Sequence, residues 1–415
     1  MKIAIVTQYY PPEPVPIPHA LAHGLTERGH DVRVVTAFPS YPNGRIYPGY
    51  HQRWRCFEED QGVKVHRVPL FVSHSRSALG RLLSYGSFGW TSIFAAGFIK
   101  DVDVTYVYAT QMTAAIAPSW WFRLFRIPFV LHVQDLWPES VTGSSFAGGK
   151  TLSRIINSVL TPWLAGMYRR AVGTIAIGPT MSRLLGERGV VEERLHAVFN
   201  WADDAGGLRD VKGKMSGSQS LRVMYAGNMG ELQDLQTVLK AAALVSDLPG
   251  FQLDLVGSGI SEVSLRDLAA KLKLENVKFH GRVPVADMGE QYSRSDFQLV
   301  PLKDLQIFRG TIPSKFQASL ASGIPVITNV AGDVSDIVLE RNVGLTSIPG
   351  DPESLAMAFR TAYAMSGSAR RAMGERGAKL YNEGMSMSRG IDKIEAILAD
   401  AVRSSRRKRV NDVQL

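Results

Sequence analysis

The chain has 415 residues and a single cysteine, Cys56. One thiol forms no intrachain disulfide and no clustered zinc or iron–sulfur thiolate site, and it fits a reducing compartment. Long apolar runs are scarce as well. The nearest, 82–99, is interrupted by Ser84, Gly86, Ser87, Gly89, Thr91, Ser92 and Gly97. It falls short of the about 18–20 apolar residues of a span, so a buried helix or hairpin is expected there. The N-terminus lacks the pattern of a secretory signal: Lys2 is the only early charge, and Ile3-Ala4-Ile5-Val6 stops at Thr7. A chain that stays on the cytoplasmic side is therefore expected. Acidic residues are the scarcer charge, Asp+Glu 38 against Lys+Arg 47, for a net +9. That excess favours an anionic neighbour (nucleic acid, anionic membrane or phosphorylated substrate) without choosing among them. Neither half has Gly-x-Gly-x-x-Gly after a strand, which argues against an NAD(P) enzyme. Helix-turn-helix, zinc and RNA-binding signatures are missing too, so no nucleic-acid partner is expected.

What is present describes a folded α/β protein. Hydrophobic residues make up 45% and charged residues 20%, and the length fits two domains. Apolar runs at 2–8, 31–38, 63–70, 102–109 and 129–134 predict buried parallel strands. A Pro-rich loop and a helix over 19–28, ended by Gly29, separate the first two. The alternation restarts with strands at 221–226, 251–256, 277–281, 297–301 and 325–329, and helices at 235–243, 262–272 and 315–322. Residues 206–220, with four glycines and three serines, read as a linker. The expected architecture is two tandem Rossmann-like, doubly wound domains, 1–205 and 221–385, facing across a cleft at their strand carboxyl ends. A helical segment over 386–415 is expected to pack back on the first domain. It ends in a basic tail with Arg403, Arg406, Arg407, Lys408 and Arg409.

Three motifs carry chemistry. Tyr225-Ala226-Gly227-Asn228-Met229-Gly230 is a strand entering a Gly-x-x-Gly turn, where backbone N–H groups can approach a phosphate; a tight turn without ligand reads equally well. Arg309-Gly310-Thr311-Ile312-Pro313-Ser314-Lys315 places Lys315 in the first turn of a helix. A cation is unfavourable there unless an anion shares the site, although Ser314 could merely cap the helix. Both features lie at strand carboxyl ends of one domain, which favours a diphosphate. In the first half, His132-Val133-Gln134-Asp135-Leu136-Trp137-Pro138-Glu139 ends a buried strand. Asp135 and His132 are the acid/base or orienting candidates. The competing readings are a helix cap for Asp135 and a core residue for His132.

These segments together resemble the family 4 retaining glycosyltransferases of GT-B fold, nearest the bacterial surface-polysaccharide enzymes. Further matching stretches are Tyr10-Pro11-Pro12-Glu13, Glu27-Arg28-Gly29-His30-Asp31-Val32, Phe38-Pro39-Ser40-Tyr41-Pro42-Asn43-Gly44 and Gly323-Ile324-Pro325-Val326-Ile327. The resemblance implies a retaining hexosyltransferase taking a UDP- or GDP-linked sugar in the C-terminal domain. Gly227, Asn228, Gly230, Arg282, Val283, Arg309, Ser314 and Lys315 would line the donor. His19, Gln134 and Trp137 would face a lipid-linked glycan acceptor. No cofactor and no metal are implied, and Asp101-Val102-Asp103 precedes a strand, at the wrong edge for a metal–diphosphate site. The chain departs from the pattern where relatives often carry a glutamate pair: Gly310 and Ala318 stand there. The segments 76–90 and Trp120-Trp121-Phe122-Arg123-Leu124-Phe125-Arg126 interleave aromatics with arginines. With the basic tail they suggest peripheral attachment to an anionic membrane, against the alternative of core-facing helices. A nucleotide-sugar 2-epimerase is the rival chemistry on the same fold.

Overall fold

The computed structural model describes residues 1–72, 78–138, 150–202, 220–284, 287–305 and 308–413. The expected linker 206–220 falls almost wholly outside them. The chain divides into two compact units. Unit 1 comprises Met1–Val198 with Gly390–Leu415, and unit 2 comprises Phe199–Arg389. The break at 198/199 lies earlier than the expected 205. Ala202 already belongs to the apolar core of unit 2, and the Asn200 carbonyl accepts from the Gln317 side chain.

Unit 1 is built on an eight-stranded sheet. Its strands are β1 (Lys2–Val6), β2 (Asp31–Ala37), β3 (Cys56–Asp60), β4 (Val63–Val68), β5 (Val104–Ala109), β6 (Phe129–Val133), β7 (Gly173–Ala176) and β8 (Leu195–Ala197). The order is β3-β4-β2-β1-β5-β6-β7-β8. Every pairing is parallel except the β3–β4 hairpin. The apolar runs bury both faces: all residues of β5 and β6 are buried. Strand β3 carries Glu58, Glu59 and Asp60, which hide it from a search for apolar runs; β7 and β8 are only 4 and 3 residues long.

The first helix, Pro16–Glu27, begins three residues before the expected 19 because proline is tolerated in a first turn. Gly29, at φ 82°, allows the reversal into β2. The stretch 82–99 does not form one continuous helix. It is divided into Ala78–Thr91, a 3-10 turn Ser92–Ala95 and Ala96–Ile99, with Phe88, Ser92, Ala95 and Ile99 buried. By length and composition alone it is just apolar enough to cross a membrane.

The last helix, Met387–Val413, packs on unit 1. Ile391, Ile394 and Leu398 are buried, and Ile391 lies so close to Gly24 that a Cβ there would sit 2.4 Å from its Cδ1. Glu395 pairs with Arg28 at 2.6 Å and His30 at 2.8 Å. The expected basic tail continues this helix, with Arg403, Arg406 and Arg407 exposed, and Arg406 pairs with Asp103 at 2.9 Å.

Unit 2 holds a six-stranded, wholly parallel sheet: β9 (Leu221–Ala226), β10 (Phe251–Val256), β11 (Val277–Gly281), β12 (Phe297–Val300), β13 (Val326–Thr328) and β14 (Gly344–Thr346). Its order, β11-β10-β9-β12-β13-β14, is that of a doubly wound sheet whose direction of winding reverses between β9 and β12. In unit 1 the reversal falls between β1 and β5. Such reversals open a crevice beyond the strand carboxyl ends, so topology alone nominates one site per unit.

Unit 2 also buries a charge network. Arg370 (0% exposed) donates to the carbonyls of Ser220, Ala362 and Tyr363 and lies 3.6 Å from Asp296 (1% exposed). Asp296 in turn accepts from the Arg222 backbone at 2.8 Å. The network ties the start of β9 to the helices Pro352–Ala364 and Gly367–Gly384, away from the crevice.

Candidate functional site

At the unit 2 crevice three glycine turns stack on one another. Gly227 N–H donates to Val256 O at 2.9 Å, Met229 N–H to Ser258 O at 2.9 Å, and Gly257 N–H to Gly281 O at 2.7 Å. The approach leaves no room for side chains. A Cβ on Gly257 would lie 1.9 Å from Gly227 O, and one on Gly259 would lie 2.4 Å from Met229 O. Gly227 and Gly257 also adopt φ 141° and φ 130°, which side chains rarely allow. Gly257-Ser258-Gly259 escaped the sequence reading, although a Gly-x-Gly after the apolar strand Phe251–Val256 was there to be seen. The turn at Gly227 leads to the expected helix by way of one short turn. Glu231–Gln233 forms a 3-10 turn first, and the α-helix starts at Leu235.

Lys315 reaches this turn from the opposite strand. It sits in the first turn of the helix Ser314–Ala321, which follows the loop after β12. Its Nζ donates to the Tyr225 hydroxyl at 2.9 Å and lies 4.6 Å from the centre of that ring. A Cβ on Gly227 would meet its Cε at 2.3 Å, so the lysine stem lies directly against the glycine. Burial lowers its pKa to about 8. No carboxylate is ion-paired with it among the described residues. A half-desolvated ammonium at the positive end of a helix is electrostatically unfavourable alone, and an anion against the Gly227 turn would offset both terms. Tyr225, whose hydroxyl donates to Asn228 O at 2.5 Å, links lysine and turn. Its aromatic ring inside a buried strand gave no signal of this role.

The remaining donor candidates spread around this point. Asn228 is exposed and Gly230 buried, the latter with its N–H bonded to Gln233 Oε1 at 3.1 Å. Ser314 is exposed and makes no cap bond, so the helix is not closed by its side chain. Arg282 is exposed just after β11, with Val283 half-buried beside it. Arg309 pairs with Asp304 at 3.3 Å, and its carbonyl accepts from Asp333 N–H at 2.9 Å. Its guanidinium is thus engaged at the surface, so Lys315 is the better-placed cation.

In unit 1 the reversal point is lined by amides. Gln8, after β1, accepts from Gln111, after β5, and Thr110 donates to Gln111; both glutamines are buried. Glu13 was missed as a site-shaping residue. Its buried carboxylate accepts from the backbone N–H groups of Ser40 and Tyr41, both at 2.8 Å, and of Tyr10 at 3.2 Å. It thereby holds the Pro-rich loop against the loop after β2. Asp135, two residues beyond β6, presents its side chain to solvent while surrounding protein atoms desolvate it enough to raise its pKa to about 6. Burial raises the pKa of the neighbouring Tyr108 hydroxyl, and the Asp135 carboxylate adds to that rise.

Most of the remaining unit 1 candidates are buried. His132 is 0% exposed, its Nδ1 is 2.5 Å from the Tyr106 hydroxyl, and burial lowers its pKa to about 3. It is a buried, neutral residue inside the sheet. Trp137 is 2% exposed, rests against Tyr85 with ring centres 6.2 Å apart, and its carbonyl accepts from Arg188 at 2.5 Å. It belongs to the apolar core of unit 1. His19 turns toward Asp60 at 3.2 Å. Gln134 is buried at the end of β6, between His132 and Asp135. Asp101 and Asp103 sit at the opposite sheet edge, bonded to Lys2 and Arg33.

Comparison with known proteins completes the assignment. The family described as glycosyl transferase 4-like domain matches residues 15–201, and the glycosyl transferases group 1 family matches 220–364. The Escherichia coli (strain K12) protein WcaI, named for glycosyl transfer in colanic acid biosynthesis, is 28% identical over 294 residues, covering 67% of this chain and 71% of that protein. Among solved structures, sucrose-phosphate synthase from Thermosynechococcus elongatus superposes with a TM-score of 0.68 at 16% identity, covering 97% of this chain and 99% of that one. Anabaena HepE in complex with UDP gives 0.64 at 16% identity, covering 96% and 100%. WaaG, a glycosyltransferase involved in lipopolysaccharide biosynthesis, gives 0.60 at 16% identity, covering 96% and 99%. With two family matches in the order of its two doubly wound units, the chain belongs to the family 4 glycosyltransferases of GT-B fold.

Proposed function

We propose that this glycosyltransferase moves a hexose-type sugar from a UDP- or GDP-linked donor to a lipid-linked glycan, with retention of the anomeric configuration, in the building of a bacterial surface polysaccharide. The observation that carries the donor half is Lys315, held desolvated at a helix N-terminus against the Gly227 turn. The diphosphate lies against the Gly227 and Gly257 turns, with Lys315 offsetting the charge that develops as the sugar–phosphate bond breaks. Arg282 and Val283 border the nucleoside. Asp135, with its raised pKa, orients the acceptor hydroxyl and takes up its proton. Catalysis is then largely positioning and fixed charge, and the transfer needs no resident metal or cofactor. The relatives support the same class: HepE was solved with UDP and with UDP-glucose, and WcaI is named for colanic acid biosynthesis.

The acceptor half rests on the surface of unit 1. Trp54, Trp90, Phe94, Trp120, Leu124 and Phe125 are all exposed, beside the exposed Arg123 and Arg126. Trp54 and Phe94 touch edge-on with ring centres 5.4 Å apart, and Trp121 Nε1 donates to Ile93 O at 3.3 Å, joining Ile116–Phe125 to the turn Ser92–Ala95. Exposed aromatics rimmed by arginines suit an anionic bilayer interface, where a lipid-linked acceptor lies. The enzyme then works peripherally, on the inner face of the cytoplasmic membrane.

The test is a panel of UDP- and GDP-sugars incubated with the purified enzyme, with and without polyprenyl-diphosphate-linked glycans in liposomes. Sugar transfer only when acceptor is present supports the proposal. Epimerised nucleotide-sugar without acceptor, or failure of any nucleoside diphosphate to bind, would overturn it. Flotation with anionic liposomes at low salt tests the surface separately, and protein remaining at the bottom of the gradient would sink it.

A further inference from the structure

The helix Pro16–Glu27 carries two histidines four residues apart, His19 and His23, which therefore lie on one face. The fold brings one carboxylate to that face. Asp60 ends β3, next to the hairpin turn whose Gly62 packs on Thr26 of the same helix. Asp60 Oδ2 is 3.2 Å from His19 Nε2 and 3.1 Å from His23 Nε2, and the two imidazole rings stand 4.2 Å apart at 61°. One ligand atom from each of the three residues lies within 4.8 Å of the others.

The two imidazole–carboxylate distances fit a coordination sphere. Metal–nitrogen and metal–oxygen bonds of 2.0–2.2 Å at tetrahedral angles set ligand atoms about 3.3 Å apart. The Tyr10 hydroxyl donates to the same Oδ2 at 3.2 Å, and Tyr10 is buried, so the carboxylate is oriented from behind. Such support is what a ligating carboxylate needs. The His19 side chain is 39% exposed, against 16% for His23, which leaves an entry path and an open position on that side.

We infer that His19, His23 and Asp60 form a site for a divalent transition-metal ion, of which Zn2+ is the best match. Two imidazoles and one carboxylate select first-row transition ions over Mg2+ or Ca2+, which prefer all-oxygen sets. The family resemblance implies no metal; the third ligand of this site comes from the β3–β4 hairpin, 37 residues beyond His23. A bound ion fastens the first helix to this hairpin and to Tyr10. The site belongs to unit 1 and Lys315 to unit 2, so its test does not depend on the proposed sugar transfer.

The experiment uses the full chain without an affinity tag, stripped with chelator and titrated with ZnCl2 by calorimetry. Co2+ serves as the spectroscopic probe of the same site. One Zn2+ per chain is expected, with a Zn2+-dependent rise in Tm and a visible Co2+ band of a low-coordinate nitrogen–oxygen site. His23→Gln and Asp60→Asn should each weaken Zn2+ at least tenfold and abolish the band. The metal-free Tm of each variant separates ligand loss from misfolding. If both variants unfold, His19→Gln, at the more exposed position, decides. Failure to bind Zn2+ at 100-fold molar excess, or binding unchanged in the folded variants, would overturn the inference.

Discussion

Lys315 makes a quantitative prediction about pH. Its pKa of about 8 in the free protein has burial as its cause, and a diphosphate against Nζ restores the ammonium to its usual range near 10.4 or above. Donor binding then requires protonation of whatever fraction of Lys315 is neutral. That fraction is about one tenth at pH 7, one half at pH 8 and nine tenths at pH 9. The dissociation constant for UDP should therefore weaken about tenfold between pH 7 and pH 9, equivalent to about 1.4 kcal/mol. The diphosphate itself stays ionised over that window, since its last pKa lies near 6. Calorimetry in two buffers of different ionisation enthalpy reads the linkage directly, as uptake of about half a proton per UDP at pH 8. Lys315→Met keeps an apolar stem against Gly227 and Tyr225. It should lose the pH dependence together with about 1.5–3 kcal/mol of binding, a charged hydrogen bond's worth. Its Tm at pH 7 should not fall, because the lost ammonium has no ion-pair partner among the described residues and its desolvation opposes folding below the unfolded pKa. An affinity flat from pH 7 to 9, with no proton uptake, would refute the placement of the diphosphate at Lys315.

Three further outcomes follow from the same geometry. Transfer activity as kcat/KM should be bell-shaped, rising through about pH 6 as Asp135 ionises and falling above about pH 8 as Lys315 loses its proton; Asp135→Asn should remove the acid limb with most of the activity, and a persisting limb would assign it elsewhere. Gly257→Ala forces a Cβ to within 1.9 Å of Gly227 O at φ 130°; it should destabilise unit 2 by about 2–5 kcal/mol in urea unfolding and weaken UDP, the sum of backbone strain and overpacking. Arg370→Met removes the cation beside the buried Asp296 and should destabilise by about 3–5 kcal/mol with UDP affinity per folded molecule unchanged, because the network lies away from the crevice.

Legibility in the sequence followed the kind of force involved. Strands buried on both faces announced themselves as apolar runs, and β9, β10 and β11 begin and end at the expected residues. Strand β3 stayed hidden because it is an edge strand of a hairpin, and edges carry charge. The site divided the same way. Glycines in turns and a lysine after a proline are local facts that chain order exposes. Tyr225 and Glu13 act through partners brought by the fold: Lys315 lies 90 residues from Tyr225, and Ser40 lies 27 from Glu13. His132 and Trp137 show the converse. Their neighbourhood in sequence is chemical, yet β6 is central in its sheet and places His132 among buried side chains, while Trp137 folds back onto Tyr85. The segment 120–126 required the fold as well. Sequence could not decide between core and surface for its aromatics, and the structure divides them, burying Trp121 while exposing Trp120, Leu124 and Phe125. The same helix therefore holds the unit together through one face and offers a basic aromatic surface through the other. For that reason Trp120→Ser should affect liposome binding while leaving Tm nearly unchanged, whereas Trp121→Ser should unfold unit 1 before any effect on membranes is read.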